Sequence, residues 1–398
     1  MRVLIVRSKR LFSIFFSVVV LLFHSCSSKE NNEIKVINIE KSFLNSKRIL
    51  LSDLVDSVEY IPLETRVDNL IGRNVKVFAN EEFIITLTTN HVFLFDRKSG
   101  KFIHEIGNQG LGPDEYYSAL SFFEINHTIQ CISSNTKDRI DYGTGGEIIR
   151  KNKTPKDISP FQEYIPLNDS VYVSYIDNFT GKDPNRIIVF DNRGDSINMF
   201  PNNNTFFSNR LIISNVGALF FKKNDHTYFF ENCLDTIYEI STHELSPRMY
   251  FNMGKFSPPY EKKGEFFDPP QNPPILDYFT INRIQESDKY ILFNFNYQRN
   301  FYFGYYDKIS NETQIGKHEN SQDSRLFNDI DNFISIGTKG LTVNNNDELV
   351  LYIDAWEITE WFDTYPENKE NLSKDIQRFS KLNSDDNPVV VIAKLKKH

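Results

Sequence analysis

The densest run of residues able to do chemistry in this 398-residue chain is Ile106-Gly107-Asn108-Gln109-Gly110-Leu111-Gly112-Pro113-Asp114-Glu115-Tyr116. Glycines open backbone conformations closed to other residues, and turns of that kind can leave amides to hold an anion or a sugar hydroxyl. Gly107, Gly110, Gly112, Pro113, Glu115 and Tyr116 therefore make a candidate ligand loop. The same residues also suit a shaped connection between two sheets, with Tyr116 packing inward and Glu115 capping a turn.

Other chemistry is poorly supported. None of the eight histidines stands in a His-x-His or His-x-x-x-His arrangement, and no Cys-x-x-Cys occurs, so no metal site is expected. Calcium held by loop carboxylates in a central channel stays open as an alternative. No Gly-x-Ser-x-Gly elbow or phosphate loop is present. Arg193-Gly194-Asp195 matches an adhesion tripeptide but also fills a tight hairpin turn, which is the simpler account. Asp56-Ser57-Val58, Asp169-Ser170-Val171, Asp195-Ser196-Ile197 and Asp235-Thr236-Ile237 resemble an O-glycosylation acceptor, and equally a turn that opens a strand.

The amino terminus carries a different signal. Arg2, Arg7, Lys9 and Arg10 form a basic segment, and Leu11 to Phe23 is apolar apart from Ser13 and Ser17. That is short of the roughly 20 residues a spanning helix needs and suits a secretory signal over residues 1–25. Leu22-Phe23-His24-Ser25-Cys26 resembles a lipobox, with Phe23 and His24 departing from its commonest form. Cys26 is thus the expected lipid-attachment residue, its several acyl chains a firm membrane anchor. Residues 26–48 read as a polar tether. Its Ser27-Ser28-Lys29-Glu30-Asn31-Asn32-Glu33 resembles the export signal of surface lipoproteins in Bacteroidetes, and a plain solvated linker equally.

Removing the signal takes four cations from 45 and leaves 41 against 53 acids, a formal charge of −12. With no basic cluster after residue 25, nucleic acid is excluded as a partner. The 35 Phe and 19 Tyr favour sheets. After Cys26 only Cys131 and Cys233 remain, too few for a disulfide framework; two buried free thiols are expected.

What positions these residues is a repeat. An apolar strand, a polar turn and a second strand recur at Val92–Ile103, Arg139–Ile149, Ile187–Ile197, Thr236–Phe251 and Phe301–Gly316. Anchored on Phe95, Ile140, Phe190, Tyr238 and Tyr305, the spacings are 45, 50, 48 and 67 residues. Four short strands with their turns need about 40 to 50, the size of one propeller blade. The long interval holds Ser257-Pro258-Pro259 and Asp268-Pro269-Pro270-Gln271-Asn272-Pro273-Pro274, an excursion that cannot join a ladder. The hairpin strands are apolar on consecutive residues, as strands covered on both faces are. Val389–Leu395 lacks its hairpin return and Ser57–Leu63 lacks a preceding partner, so joining them completes a sixth blade. The expected fold is all-β: a six-bladed β-propeller over residues 49–398, closed by its two ends. Leu372, Ile376, Phe379 and Leu382 predict one amphipathic helical insertion at about 366–382.

Val58-Glu59-Tyr60-Ile61-Pro62-Leu63-Glu64-Thr65, Leu70-Ile71-Gly72, Leu94-Phe95-Asp96-Arg97 with Gly100-Lys101-Phe102, and Ile106 to Tyr116 together resemble the six-bladed β-propeller lipoproteins of Bacteroidetes. Asp235-Thr236-Ile237-Tyr238 and Asp386-Asn387-Pro388-Val389 fit the same family, and the excursion at 258–274 does not. The resemblance implies fold and export, and no settled activity. The expected role is an outer-membrane module, facing the surface or the periplasm, that binds a glycan, a peptide or an envelope protein, with Phe206-Phe207 available to stack on sugar rings. The alternative is a channel-centred hydrolase or lyase, as in other six-bladed propellers. It needs His, Asp, Glu or Arg on the channel-facing strands, and the strands of the repeat are mostly apolar.

Overall fold

The computed structural model describes residues 34–397 except 73–74, 124–126, 134–135, 137, 157, 159–161, 163, 209–216 and 318–324. The chain divides into two units, residues 1–35 and 36–398. Of the first, only Ile34 and Lys35 are described; the signal segment, Cys26 and the start of the tether lie outside the described residues. No helix among the described residues is long and apolar enough to cross a membrane.

The second unit is a six-bladed propeller. Blade 1 consists of Lys76–Ala79, Phe83–Leu87, Val92–Asp96 and Phe102–Glu105. Blade 2 consists of Tyr116–Phe123, Thr128–Ser133, Arg139–Gly143 and Ile148–Asn152. Blade 3 consists of Tyr164–Pro166, Val171–Tyr175, Asn185–Asp191 and Ser196–Pro201. Blade 4 consists of Ala218–Lys223, His226–Glu231, Thr236–Ile240 and Leu245–Phe251. Blade 5 consists of Thr280–Glu286, Tyr290–Tyr297, Asn300–Asp307 and Glu312–Ile315. Blade 6 takes Thr342–Val343, Glu348–Ile353 and Val389–Leu395 from the end of the chain and Val55–Pro62 from its beginning.

The closing pair is antiparallel, in register from Ser57 opposite Lys394 to Pro62 opposite Val389. The second strands, and the third strands of blades 1, 2, 3 and 6, are buried along most of their length, which is why their sequences run apolar without strict alternation. Cores form between neighbouring blades: Ile84, Phe93 and Phe95 of blade 1 pack on Val350, Val390 and Ile392 of blade 6. On the next interface Ile85 and Leu94 pack with Ile129, Cys131 and Ile140 of blade 2.

The turn chemistry of the repeat has one device. Asp96 accepts from the amide and hydroxyl of Ser99, Asp191 from the amides of Arg193 and Asp195, and Asp307 from the amides of Ile309 and Ser310. An aspartate ending the third strand thus satisfies the backbone of the turn into the fourth. The Arg193-Gly194-Asp195 triplet is such a turn, its guanidinium bound to Asp191 at 2.7 Å and to Asp195 at 3.3 Å.

Several of the recognised phrases converge where the ring closes. Asn387, 2% exposed, accepts from the Ile71 amide and donates to the carbonyls of Glu64 and Asn69. Its own amide donates to Thr65 Oγ1, and the Glu64 carboxylate accepts from the Phe102 amide. Gly100 sits at φ +67 with the Pro62 carbonyl where a Cβ would stand, so no other residue fits this crossing without displacement.

Two boundaries differ from the sequence reading. Residues 36–48, assigned to the tether, belong to the propeller rim. Val36 and Ile37, ending the strand Lys35–Ile37, extend the outer edge of blade 4. The helix Ile39–Leu44 follows, with Phe43 set among Phe256, Phe279 and Tyr297. Their polar appearance comes from the solvent side of a rim segment whose buried contacts are few. The helical insertion lies between the second and third strands of blade 6, but its main helix is Ala355–Thr364, with Ala355, Ile358 and Phe362 buried. Leu372, Ile376 and Phe379 are also buried, on separate short turns. Ser373 caps a new turn by accepting from the Ile376 amide, and the extended backbone at Leu372 and Ser373 breaks the helix expected there.

Candidate functional site

The first strand of every blade faces the axis of the ring, around a cavity of about 1080 Å³. Because strands in a blade alternate in direction, the turns between strands 1 and 2 and between strands 3 and 4 share one face. The turns between strands 2 and 3 and the blade-to-blade connections emerge on the other. The long segments, residues 252–279, 316–341 and 354–388 among them, all belong to the second set.

Lys76, Lys222 and Arg283 contribute positive charge to the wall, and Asp225 is its one acidic residue among those described. Asn282, Gln285, Thr342, Asn344 and Asn345 supply amides and a hydroxyl, and Phe78, Phe122 and Phe220 supply rings. The Lys222 ammonium donates to the Pro166 carbonyl at 2.7 Å, and Arg283 to the Leu341 carbonyl at 3.1 Å. Burial lowers the Lys222 amine below the usual lysine range, with Asp225 offsetting part of the effect.

Polar side chains also stitch the wall together. Thr342 and Asn344 of blade 6 donate to the Val77 and Ala79 carbonyls of blade 1, and Gln285 of blade 5 accepts from the Val343 amide. Lys223 bridges Asp347 at 2.5 Å and Asp288 at 2.8 Å, so these two acids are committed to a lysine. Burial lowers the Lys223 ammonium, but its bonds to Asp288 and Asp347 outweigh that and hold it above the usual value.

A second cation cluster lies under the proline-rich excursion. Lys263, from the 3₁₀ turn Tyr260–Glu265, is 3.3 Å from Glu231, whose carboxylate also accepts from the Tyr175 hydroxyl at 2.7 Å. The Arg186 Nε lies 3.7 Å from the second carboxylate oxygen, an ion contact too long for a hydrogen bond. The rings of Tyr175, Phe206 and Tyr260 surround the ammonium at 5.1–5.9 Å. Burial by itself would lower Lys263; the Glu231 charge and the Tyr260 phenol outweigh it and hold the amine above its ordinary value. Phe206, expected on the surface, is buried in this cluster, and Phe207 is 69% exposed.

The glycine-rich loop is the connection from blade 1 to blade 2. Its Glu115 carboxylate accepts from the Gly112 amide at 2.6 Å and packs where a Gly110 Cβ would stand. The anion in the glycine cradle is therefore the loop's own. Tyr116 is buried and donates to the Asn90 carbonyl. Tyr142 donates to the Asp114 carbonyl, and Lys151 reaches the Pro113 carbonyl and the Asp114 carboxylate. Gly107, at φ +64, lies against the rings of Tyr116 and Tyr142, which leave no room for a side chain. The structure brings these residues together as one clamped connection and does not bring them to the axial wall.

Cys131 and Cys233 are free and buried, and burial pushes the Cys233 thiol up to about 12. Among the described residues no three His, Cys, Asp or Glu side chains converge as a metal ion requires.

The wall residues escaped the sequence reading because the repeat was anchored on hairpins that are the third and fourth strands of the blades. The expectation that channel-facing strands are mostly apolar is corrected: those strands are the mixed segments two strands upstream of the third strand that opens each hairpin. A polar residue recurring in such segments, as in Thr280-Ile281-Asn282-Arg283-Ile284-Gln285-Glu286, is the signal that marks them.

An exported protein of Bacteroides fragilis has the same fold, with a TM-score of 0.66 at 17% identity, covering 92% of this chain and 100% of its own. A member of the duf4221 family from Bacteroides vulgatus gives 0.53 at 11% identity, covering 87% of this chain and 98% of its own. No curated protein matches the chain. The model of a domain of unknown function, DUF4934, matches residues 34–394. With the propeller accounted for almost from end to end by that match, the chain belongs to the DUF4934 family.

Proposed function

We propose that this protein is an exported, lipid-anchored binding module that takes its ligand at the axial channel and holds it at the outer membrane, with Cys26 carrying the anchor. The observation that carries the reading is the cavity of about 1080 Å³ walled by all six blades, at the upper end of what ligand sites enclose. The lipobox-like Leu22-Phe23-His24-Ser25-Cys26 and the likeness to an exported Bacteroides protein support the location. Purification of the tagged protein from native envelopes, followed by mass spectrometry of accompanying proteins and glycans, tests it. A specific companion is expected, and it should be lost from an Asn282→Trp variant that fills the channel. A companion retained by that variant moves the binding site away from the axis. Fatty-acid labelling abolished by Cys26→Ala tests the anchor.

A channel-centred hydrolase or lyase is the second reading, favoured by Asp225, Arg283 and the lowered Lys222 amine at one cavity. New reducing ends or unsaturated products from a glycan panel, abolished by Asp225→Asn, would put it first.

A further inference from the structure

We infer that the face of the propeller bearing the blade-to-blade connections rests on the lipid surface to which the chain is anchored, so that the opposite face looks away from the membrane. This deepens the anchored reading and rests on it.

Exposed large apolar side chains are divided unevenly between the two faces. Val67 lies on the connection from blade 6 to blade 1, Leu111 on that from blade 1 to blade 2, Phe207 on that from blade 3 to blade 4, and Phe267 on that from blade 4 to blade 5. Trp356 and Tyr365, on the insertion between the second and third strands of blade 6, belong to the same set of loops. Val67 is 98% exposed and Leu111 82%. On the turns of the opposite face Ile309 is their one counterpart among the described residues; others, such as Ile103 and Ile197, stand on outer strands at the rim. A single exposed apolar side chain is ordinary, whereas a set of them gathered on one face marks an interaction surface. These six are spread around the ring, so a small ligand would meet one of them and a broad apolar boundary several. Trp and Tyr, apolar in body and polar at the tip, suit the boundary of a bilayer.

Charge points the same way. On the opposite face the turns between strands 1 and 2 carry Glu81 and Glu82 in blade 1, Asp169 in blade 3, Asp225 in blade 4, Asp288 in blade 5 and Asp347 in blade 6. Lys223 bridges the last two, and with Lys222 and Lys289 it still leaves that end of the ring negative. An anionic lipid surface repels such an end. Beside the apolar side chains of the connection face, cations accompany the acids: Arg66 pairs with Asp68 at 3.0 Å, and Lys262 follows Glu261.

The anchor makes contact unavoidable. Cys26 precedes Ile34 by eight residues, a length that reaches about 30 Å at most, and Lys35–Ile37 then joins the edge of blade 4. With the bilayer this close, the apolar and less acidic face is the one that gains by touching it. The axial cavity wall includes Asn224, Asp225 and Asn344 from the acidic turns, so this contact leaves that end of the channel uncovered.

Tryptophan fluorescence of the acylated full chain on vesicles of phosphatidylethanolamine and phosphatidylglycerol, with and without brominated acyl chains, tests the inference. The chain has two tryptophans; Trp356 is exposed, and Trp361 packs on Phe333 and Phe362. Brominated lipid should quench the parent, and Trp356→Phe should lose most of that quenching. In the Trp356→Phe background, Leu111→Trp should be quenched at least about threefold more than Ile309→Trp, because interfacial apolar groups sit roughly 5–10 Å into the headgroup boundary. Val67→Trp repeats the measurement on a second connection should Leu111→Trp fail to fold, as melting curves will show. Equal quenching on the two faces, or stronger quenching at Ile309→Trp, overturns the inference. So does the lack of quenching at Trp356 and at both connections in an acylated chain that floats with the vesicles, and the anchored reading then stands. If Cys26→Ala leaves fatty-acid labelling and flotation unchanged, the anchored reading falls and takes the inference with it.

Discussion

Lys263 and Arg186 converge on the buried Glu231 carboxylate beneath the proline-rich excursion, whereas Lys222 and Arg283 stand at the axial cavity and donate to carbonyls. The side chains are of the same kinds, and the surroundings give them opposite tasks. Around Glu231 the positive charge is spent within the protein: a carboxylate, a tyrosine hydroxyl and three aromatic rings enclose the ammonium and pin Tyr260–Glu265 onto blades 3 and 4. At the axis the positive charge exceeds what the wall supplies in acids. A cation closed in by its counter-ion is architecture; Lys222, beside the open cavity, is held by a carbonyl instead.

Breaking the first region should have the largest effect. Glu231→Ala leaves Lys263 and Arg186 without their shared carboxylate in a buried place and should cost about 3–5 kcal/mol of stability, read by chemical denaturation. A cost below about 1 kcal/mol would mean that water reaches the cluster and that the contrast between the two regions is false. Replacing the pair by Glu231→Leu with Lys263→Met should recover much of that loss, since apolar groups of similar size remove the desolvation penalty along with the charges. Recovery will be incomplete because Arg186 keeps its charge.

The same measurement at the axis should give a small number. Lys222→Met loses a bond to a carbonyl but also relieves a partly buried charge, so its stability should stay within about 1 kcal/mol of the parent. A large loss of stability would place Lys222 with the architectural cations.

The smallest effect is the most diagnostic, because its sign differs between the regions. The Lys263 amine is held above its ordinary value, so its contribution is fully present below that value and is lost as pH rises through the raised one. The Lys222 amine is lowered, so between its folded and unfolded values the unfolded chain binds more protons and stability rises with pH. Melting temperatures from about pH 8 to about pH 11 should therefore fall less steeply in Lys263→Met than in the parent, and more steeply in Lys222→Met. Shifts of the same sign in both variants would overturn the contrast.

Much of the architecture was legible beforehand. Apolar runs covered on both faces, polar turns recurring at blade-sized spacings and two unpartnered strands near the chain ends led to six blades with a shared closing sheet. These features are local, or follow from the need to leave no sheet edge open. The phrases around Glu64, Gly100 and Asn387 were legible as a family mark, but their purpose was not: they meet only when residues more than 300 positions apart close the ring. The helical insertion was legible as an apolar pattern and misplaced, since Leu372, Ile376 and Phe379 are buried on separate turns just as they would be on one helix. The glycine loop read both as an anion cradle and as a shaped connection with Tyr116 packed and Glu115 capping a turn, and whether its cradle was open depended on the placement of its own Glu115.

By itself, then, the sequence determined the ring: how many sheets, which strands lie inside them, and how the ends join. Only the tertiary structure decided which strands face the axis and which cations are neutralised. Lys263 meets Glu231 across 32 residues, Tyr175 meets it across 56, Arg283 reaches Leu341 across 58, and Lys222 reaches Pro166 across 56. Strand pattern is written in neighbouring residues because pleat and burial repeat along the backbone. The fate of a charge depends on what other blades bring within a few ångströms, and that is settled only when the ring has closed.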